Sequence, residues 1–251
     1  LVALLMGVML ELRGPRLRQL RVKVARAKNL LKDSWPLLLS GIAIVIYMRI
    51  DQIMLGQMVG DEAVGIYSAA VRISEVWYFI PTMIVASVFP AILEAEKRSE
   101  EQYYQRLQRL FDLMVWLPIG VALPMTFLST PIAVLLFGNA FAATGPVLAV
   151  HIWAAVFVFL GVASGKWFIA ENRQILSFQR TLLGAVTNIA LNILLIPNFG
   201  AIGAASATVI SQAVAAFLSD LAQVETRKMF YMKVYALCFI SLRRAKRLRG
   251  H

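Results

Sequence analysis

Residues 34–58 read SWPLLLSGIAIVIYMRIDQIMLGQM. Ser34 is a capping residue type, and Pro36 stands in the first turn, where its missing N–H breaks no helical bond. The stretch that follows is apolar apart from Arg49 and Asp51 and is longer than the about 20 residues needed to cross hydrocarbon as a helix. Its apolar side chains surround the helix instead of forming one stripe, which is the pattern of a segment solvated by lipid.

Outward from this block the same pattern recurs. Val59–Ala63 is a short turn, and further apolar blocks run over residues 64–93, 110–137, 146–170, 175–196 and 202–224. The block over 110–137 contains Pro118, Pro124 and Pro131, which predicts a kinked membrane helix. Pro197 to Ala201 is the turn between the last two blocks. The 251 residues are 59% hydrophobic and 16% charged, with a mean hydropathy of +0.71. A soluble domain is about one quarter charged, so a soluble enzyme, a disordered chain and a disulfide scaffold are excluded. The fold class expected is an all-α integral membrane protein with six crossings.

The net charge of +11 would suggest nucleic acid in a soluble chain, but its placement argues otherwise. Connectors 11–33, 94–109 and 171–174 and the tail 225–251 hold 8, 4, 1 and 8 lysines and arginines, while connectors 59–63, 138–145 and 197–201 hold none. Six crossings put every basic connector on one face, which the positive-inside rule makes cytoplasmic. No nucleic-acid partner is expected. The organisation follows: 1–33 a helix end and basic connector, 34–224 the membrane unit, and 225–251 a basic cytoplasmic tail. Met229–Leu242, interrupted by Lys233, is short for a span and reads as an interfacial helix. The chain starts on apolar Leu1–Leu10 without a methionine, and these residues are expected to finish a helix begun upstream.

No nucleophile, phosphate-loop or zinc motif is present in the sequence. Cys238 is the single cysteine, and the two histidines are His151 and His251. No enzyme activity, cofactor or metal is expected. The residues that ask for a function are charges inside apolar blocks, each costing roughly 2.5–3.5 kcal/mol on insertion scales. Counted from Asp61, Arg49, Asp51, Arg72 and Glu75 lie within about 6 Å of one another in depth at about 1.5 Å per residue. Asp51 could meet Arg72 across the hairpin. Two readings stay open: a pair of salt bridges that locks two helices, or a polar cavity wall with arginines for an anionic headgroup and carboxylates for a coupling cation. Asn188 and Asn192 share a helix face and suit either a sugar or interhelical hydrogen bonding. Gly203, Ala207 and Ser211 form a seam for close helix packing. Arg180 and Lys166 are expected to snorkel towards the cytoplasmic interface, Asp220 to be solvated, and His151 to be a packed aromatic.

Two stretches carry a resemblance. Tyr47-Met48-Arg49-Ile50-Asp51-Gln52-Ile53-Met54-Leu55-Gly56 with Val64-Gly65-Ile66-Tyr67-Ser68-Ala69-Ala70-Val71-Arg72-Ile73 resembles the opening hairpin of a lobe in polysaccharide and O-antigen flippases. Asn188-Ile189-Ala190-Leu191-Asn192-Ile193-Leu194-Leu195-Ile196-Pro197 with Gly200-Ala201-Ile202-Gly203-Ala204-Ala205-Ser206-Ala207-Thr208 resembles their last two helices. The family belongs to the multidrug/oligosaccharidyl-lipid/polysaccharide exporter superfamily. The resemblance implies a twelve-helix protein of two six-helix lobes working by alternating access, with this chain a fragment carrying the second lobe. It implies translocation of an undecaprenyl-pyrophosphate-linked oligosaccharide, such as an O-antigen unit of lipopolysaccharide, across the bacterial cytoplasmic (inner) membrane. Arg49, Arg72, Asn188 and Asn192 would bind substrate, and Asp51 and Glu75 would couple an ion. The expected partners are the lipid-linked oligosaccharide, membrane lipids and the N-terminal lobe, with a polymerase or glycosyltransferases as further candidates. The alternatives are a cation-coupled multidrug exporter of the same superfamily and a non-transporting scaffold for polysaccharide assembly.

Overall fold

The computed structural model describes residues 24–238, and these are almost entirely helical with no strand among them. Leu1–Leu10, most of the basic connector and the arginine-rich end of the tail lie outside the described residues. Helix α1 (Val24–Met58) leads through the turn at Val59 and Gly60 into α2 (Asp61–Glu75). One 3-10 turn carries α2 into α3 (Phe79–Glu96). Helix α4 (Glu100–Phe137) runs helically past Pro118, Pro124 and Pro131. Helix α5 (Thr144–His151) continues into α6 (Ala154–Ala170). Helix α7 (Gln174–Ala216) is followed by a 3-10 turn at Leu218–Leu221, and α8 (Arg227–Leu237) closes the described chain.

Four of these stretches, residues 61–96, 100–137, 144–170 and 174–221, are long and apolar enough to cross a membrane. The last is not one rod. Gly200 takes φ 54° and ψ −131°, a conformation that favours a residue without a Cβ, and the chain folds back there into two limbs. A Cβ at Gly184 would lie 2.7 Å from the Ala215 methyl, and one at Gly203 would lie 2.7 Å from the carbonyl carbon of Leu195. Residues 184 and 215, like 195 and 203, are therefore neighbours across an antiparallel hairpin. The small-residue seam is what allows it: Gly203, Ala207 and Ser211 are all buried.

Two hydrophobic clusters mark opposite ends of the bundle. Leu55, Tyr67, Ala70, Val147, Leu148, Ile196 and Ala204 pack near the turns that lack lysine and arginine, where the Thr144 hydroxyl donates to the Ile66 carbonyl at 3.3 Å. Val85, Phe89, Leu107, Phe111, Phe159, Phe168 and Met229 pack towards the charged connectors. At that end Tyr103 donates to Glu171 at 3.3 Å, Arg173 pairs with Glu225 at 3.0 Å, and Lys228 lies 3.4 Å from Glu100. Three of the four basic connectors, 94–109, 171–174 and the tail, are thus in contact with one another. Large apolar residues on the outside, among them Leu135 at 83% exposure and Phe127 at 78%, suit a surface covered by lipid tails.

The described part of the tail packs on the bundle. Helix α8 is docked on the bundle, with Met229, Met232 and Ala236 buried. Gln108 Nε2 donates to the Met232 carbonyl at 2.9 Å, and Trp116 Nε1 donates to the Ala236 carbonyl at 3.1 Å. Lys233, the residue that breaks the apolar run, is fully buried and donates to Asp220 at 2.6 Å and to the Ala216 carbonyl at 2.7 Å. Asp220 is correspondingly buried, not solvated. Burial pulls the Lys233 ammonium down to about 8, while the Asp220 carboxylate opposes the shift.

Candidate functional site

Asp51 lies two turns before the end of α1 and is 2% exposed. Three donors from three other segments hold its carboxylate. Tyr67 of α2 donates to Oδ2 at 2.7 Å, Thr208 of the second α7 limb donates to Oδ2 at 2.5 Å, and Asn192 of the first limb donates to Oδ1 at 2.5 Å. Asn192 Nδ2 is also 3.2 Å from Asn188 Oδ1, the i and i+4 spacing that places both on one helix face. The Tyr67 and Thr208 hydroxyls are 3.2 Å apart.

The hairpin at Gly200 explains why these residues meet. Asn192 precedes it by eight residues and Thr208 follows it by eight, so both limbs present a polar side chain at one depth. Within this shell, Asn188 Nδ2 and Asn192 Oδ1 are buried without a hydrogen-bond partner. Such a group ordinarily costs about 1–3 kcal/mol. A carboxylate that accepts three hydrogen bonds is well solvated by protein, yet no ion pair within 4 Å neutralises it among the described residues.

A cleft opens beside this shell, lined by Asp51, Tyr67, Glu75, His151, Thr208 and Gln212 among others. His151 is buried at 3% exposure, shares a 2.6 Å hydrogen bond with the Ser74 hydroxyl, and meets the Tyr67 ring edge-on at 5.8 Å. It is packed, as the sequence suggested, but it is also part of a titratable wall that joins Glu75 to Asp51.

The expected four-charge cluster is only partly assembled. Asp51 and half-buried Glu75 line the same cleft. Arg49 and Arg72 are exposed, and the expected contact between Asp51 and Arg72 does not form, because Tyr67, Thr208 and Asn192 occupy the carboxylate. Arg49 remains electrostatically coupled to Glu75. Asn188 and Asn192 are fully buried; Asn192 bonds Asp51, and Asn188 is linked to it through Asn192. Arg180 does not reach out to the interface: its Nη2 donates to the Gly161 carbonyl at 2.8 Å and its guanidinium lies over the Phe168 ring. Lys166 is exposed. Tyr67, Thr208 and Ser74 were not singled out from sequence, although Tyr67 and Thr208 stand within the two stretches that carry the resemblance.

The family model of polysaccharide biosynthesis proteins matches residues 2–96, which includes Asp51, Tyr67 and Glu75. Across most of the chain there is similarity to a probable flippase, AglR, of Haloferax volcanii, with 31% identity over 183 residues, covering 69% of this chain and 37% of that protein. The chain belongs to the polysaccharide biosynthesis flippase family. A second relative in this family, the probable low-salt glycan biosynthesis flippase Agl15 of the same organism, is 25% identical over 189 residues, covering 75% of this chain and 40% of its own. The capsular polysaccharide biosynthesis protein CapF of Staphylococcus aureus is 22% identical over 193 residues, covering 76% of this chain and 49% of its own. The chain thus spans less than half the length of these family members. No solved structure matches it. Family membership and four span-length helices make it a multi-pass membrane protein.

Proposed function

We propose that the chain forms one six-helix lobe, the second, of a transporter that carries lipid-linked oligosaccharide across the membrane by alternating access. The six crossings are α1, residues 61–96, α4, residues 144–170 and the two limbs of α7, with the connectors and α8 on the cytoplasmic side. The cargo is an oligosaccharide on a polyprenyl pyrophosphate, undecaprenyl pyrophosphate if the host is bacterial. Arg49 and Arg72, on the outer surface of the lobe, contact its phosphates, and Asp51 with Glu75 carries the coupling cation or proton. Asn188 and Asn192 position Asp51 in this reading.

The observation that carries it is the buried carboxylate of Asp51, held by three helical segments besides its own in a chain whose named relatives are flippases. Charge at that depth is costly unless it has a task, and residues that unite both α7 limbs with the first hairpin can sense a rearrangement of either. The same observation favours, as a second reading, a cation-coupled multidrug exporter, because the carboxylate is built into the core while the arginines are not. The test is to delete the full-length gene in its host. Loss of surface polysaccharide and accumulation of lipid-linked oligosaccharide on the cytoplasmic leaflet, both reversed by the wild-type gene, support the flippase. Unchanged polysaccharide with increased sensitivity to cationic drugs would favour the exporter.

A further inference from the structure

At the connector end, α6, the first limb of α7 and the 3-10 turn after the second limb enclose an open groove of about 370 Å³, lined by Phe168, Gln179, Arg180, Asp220, Gln223 and Thr226 among others. Arg180 is its anomaly. Nη2 is bonded to Gly161 and the guanidinium is stacked 4.8 Å from the Phe168 centroid, while Nη1 is buried with no partner among the described residues. Asp220 does not supply one: no hydrogen bond or ion pair joins it to Arg180 among the described residues, and its carboxylate is held by Lys233 at 2.6 Å. Two cations, Arg180 and Lys233, act on this one carboxylate, which leaves an excess positive charge under the groove. A planar guanidinium with a free edge suits the oxygens of a phosphate.

The surroundings set the rest of the ligand. Exposed Leu183 lines the groove, and the exposed Ile175, Leu218, Leu221 and Val224 are each next in sequence to a residue that lines it. Arg180 lies six residues into α7, about 9 Å along the axis from Gln174 at 1.5 Å per residue, the depth of a headgroup. A molecule that offers phosphate to Arg180 and hydrocarbon to this rim is a phospholipid.

We propose that the groove binds the phosphate ester of an anionic membrane lipid, with the headgroup on Arg180 and the chains along Ile175, Leu218 and Val224. The site goes beyond the transport reading and holds whether or not glycan is the cargo. The experiment uses the purified full-length protein that contains this chain, and reads its thermal unfolding midpoint against added phosphatidylglycerol, phosphatidylcholine or inorganic phosphate. Phosphatidylglycerol is expected to raise the midpoint saturably. The half-saturating concentration should increase about tenfold or more in Arg180→Gln, the equivalent of one charge-assisted hydrogen bond. Gln223→Glu, at the rim, should weaken the effect by repulsion without disturbing the core, and it decides the matter if Arg180→Gln fails to fold. An equal response of wild type and Gln223→Glu, or no difference between the two lipids, would mean a hydrated groove and overturn the proposal. An Arg180-dependent rise with inorganic phosphate alone would overturn the assignment to lipid.

Discussion

Asp51 concentrates the chemistry of this chain into one carboxylate, and its three donors make different predictions. Thr208→Val removes a hydroxyl while keeping the shape, leaving Oδ2 with Tyr67 alone. It is expected to cost about 1.5–3 kcal/mol, the range for a hydrogen bond to a charged group, read as a lowered unfolding midpoint of the purified full-length protein. Asp51→Asn should fold, because an amide can still accept from Tyr67 and Thr208, but it should lose transport. An unchanged midpoint in Thr208→Val would show that the buried contact contributes nothing. The sequence revealed that Asp51 mattered, because a charge inside an apolar block is conspicuous. It did not reveal the partner. Depth counting along the first hairpin brought Arg72 level with Asp51, but depth carries no azimuth, and Arg72 turns outward. Thr208 and Tyr67 carry no charge and so raised no signal, although counting eight residues each way from Gly200 would have paired Thr208 with Asn192.

Helices here are shaped by a few small residues and one buried ion pair. Gly203→Ala would bring a methyl against the Leu195 backbone, and neither limb of α7 can yield without disturbing Asn192 or Thr208. It is expected to cost about 1–3 kcal/mol as overpacking, whereas Gly120→Ala, with open space around its Cα, should be neutral or stabilising by up to about 1 kcal/mol. Equal midpoints for the two variants would refute the close packing of the hairpin. For α8, Lys233→Met strands Asp220 as a buried unpaired charge and should cost about 3–5 kcal/mol, with recovery in the double variant Lys233→Met with Asp220→Asn. Persistence of the loss in the double variant would argue against the pair as the docking contact. The apolar blocks were legible because lipid imposes length and hydropathy on a helix. The docking of α8 was not, since Lys233 read as a break in an interfacial stretch instead of as half of a pair with Asp220, thirteen residues earlier.

At the scale of the whole molecule, the arrangement has two chemically distinct ends with a polar site between them. The segregation of basic connectors was visible in the sequence, and the structure brings Glu100, Glu171, Arg173, Glu225 and Lys228 into one set of contacts. Cysteines at the exposed positions Asp61, Ala143 and Asn198 are expected to react with an impermeant thiol reagent in intact cells, while Cys238 is not. Strong labelling of Cys238 would invert or break the six-crossing topology. The central claim, that a glycan flippase is driven through Asp51, is tested most directly in proteoliposomes that contain the full-length protein and a fluorescent polyprenyl-pyrophosphate oligosaccharide. Translocation is measured under an imposed cation or proton gradient and normalised to inserted protein. The account predicts gradient-dependent translocation by the wild type and its loss in Asp51→Asn at equal protein level; gradient-driven translocation by Asp51→Asn at the wild-type rate would contradict it.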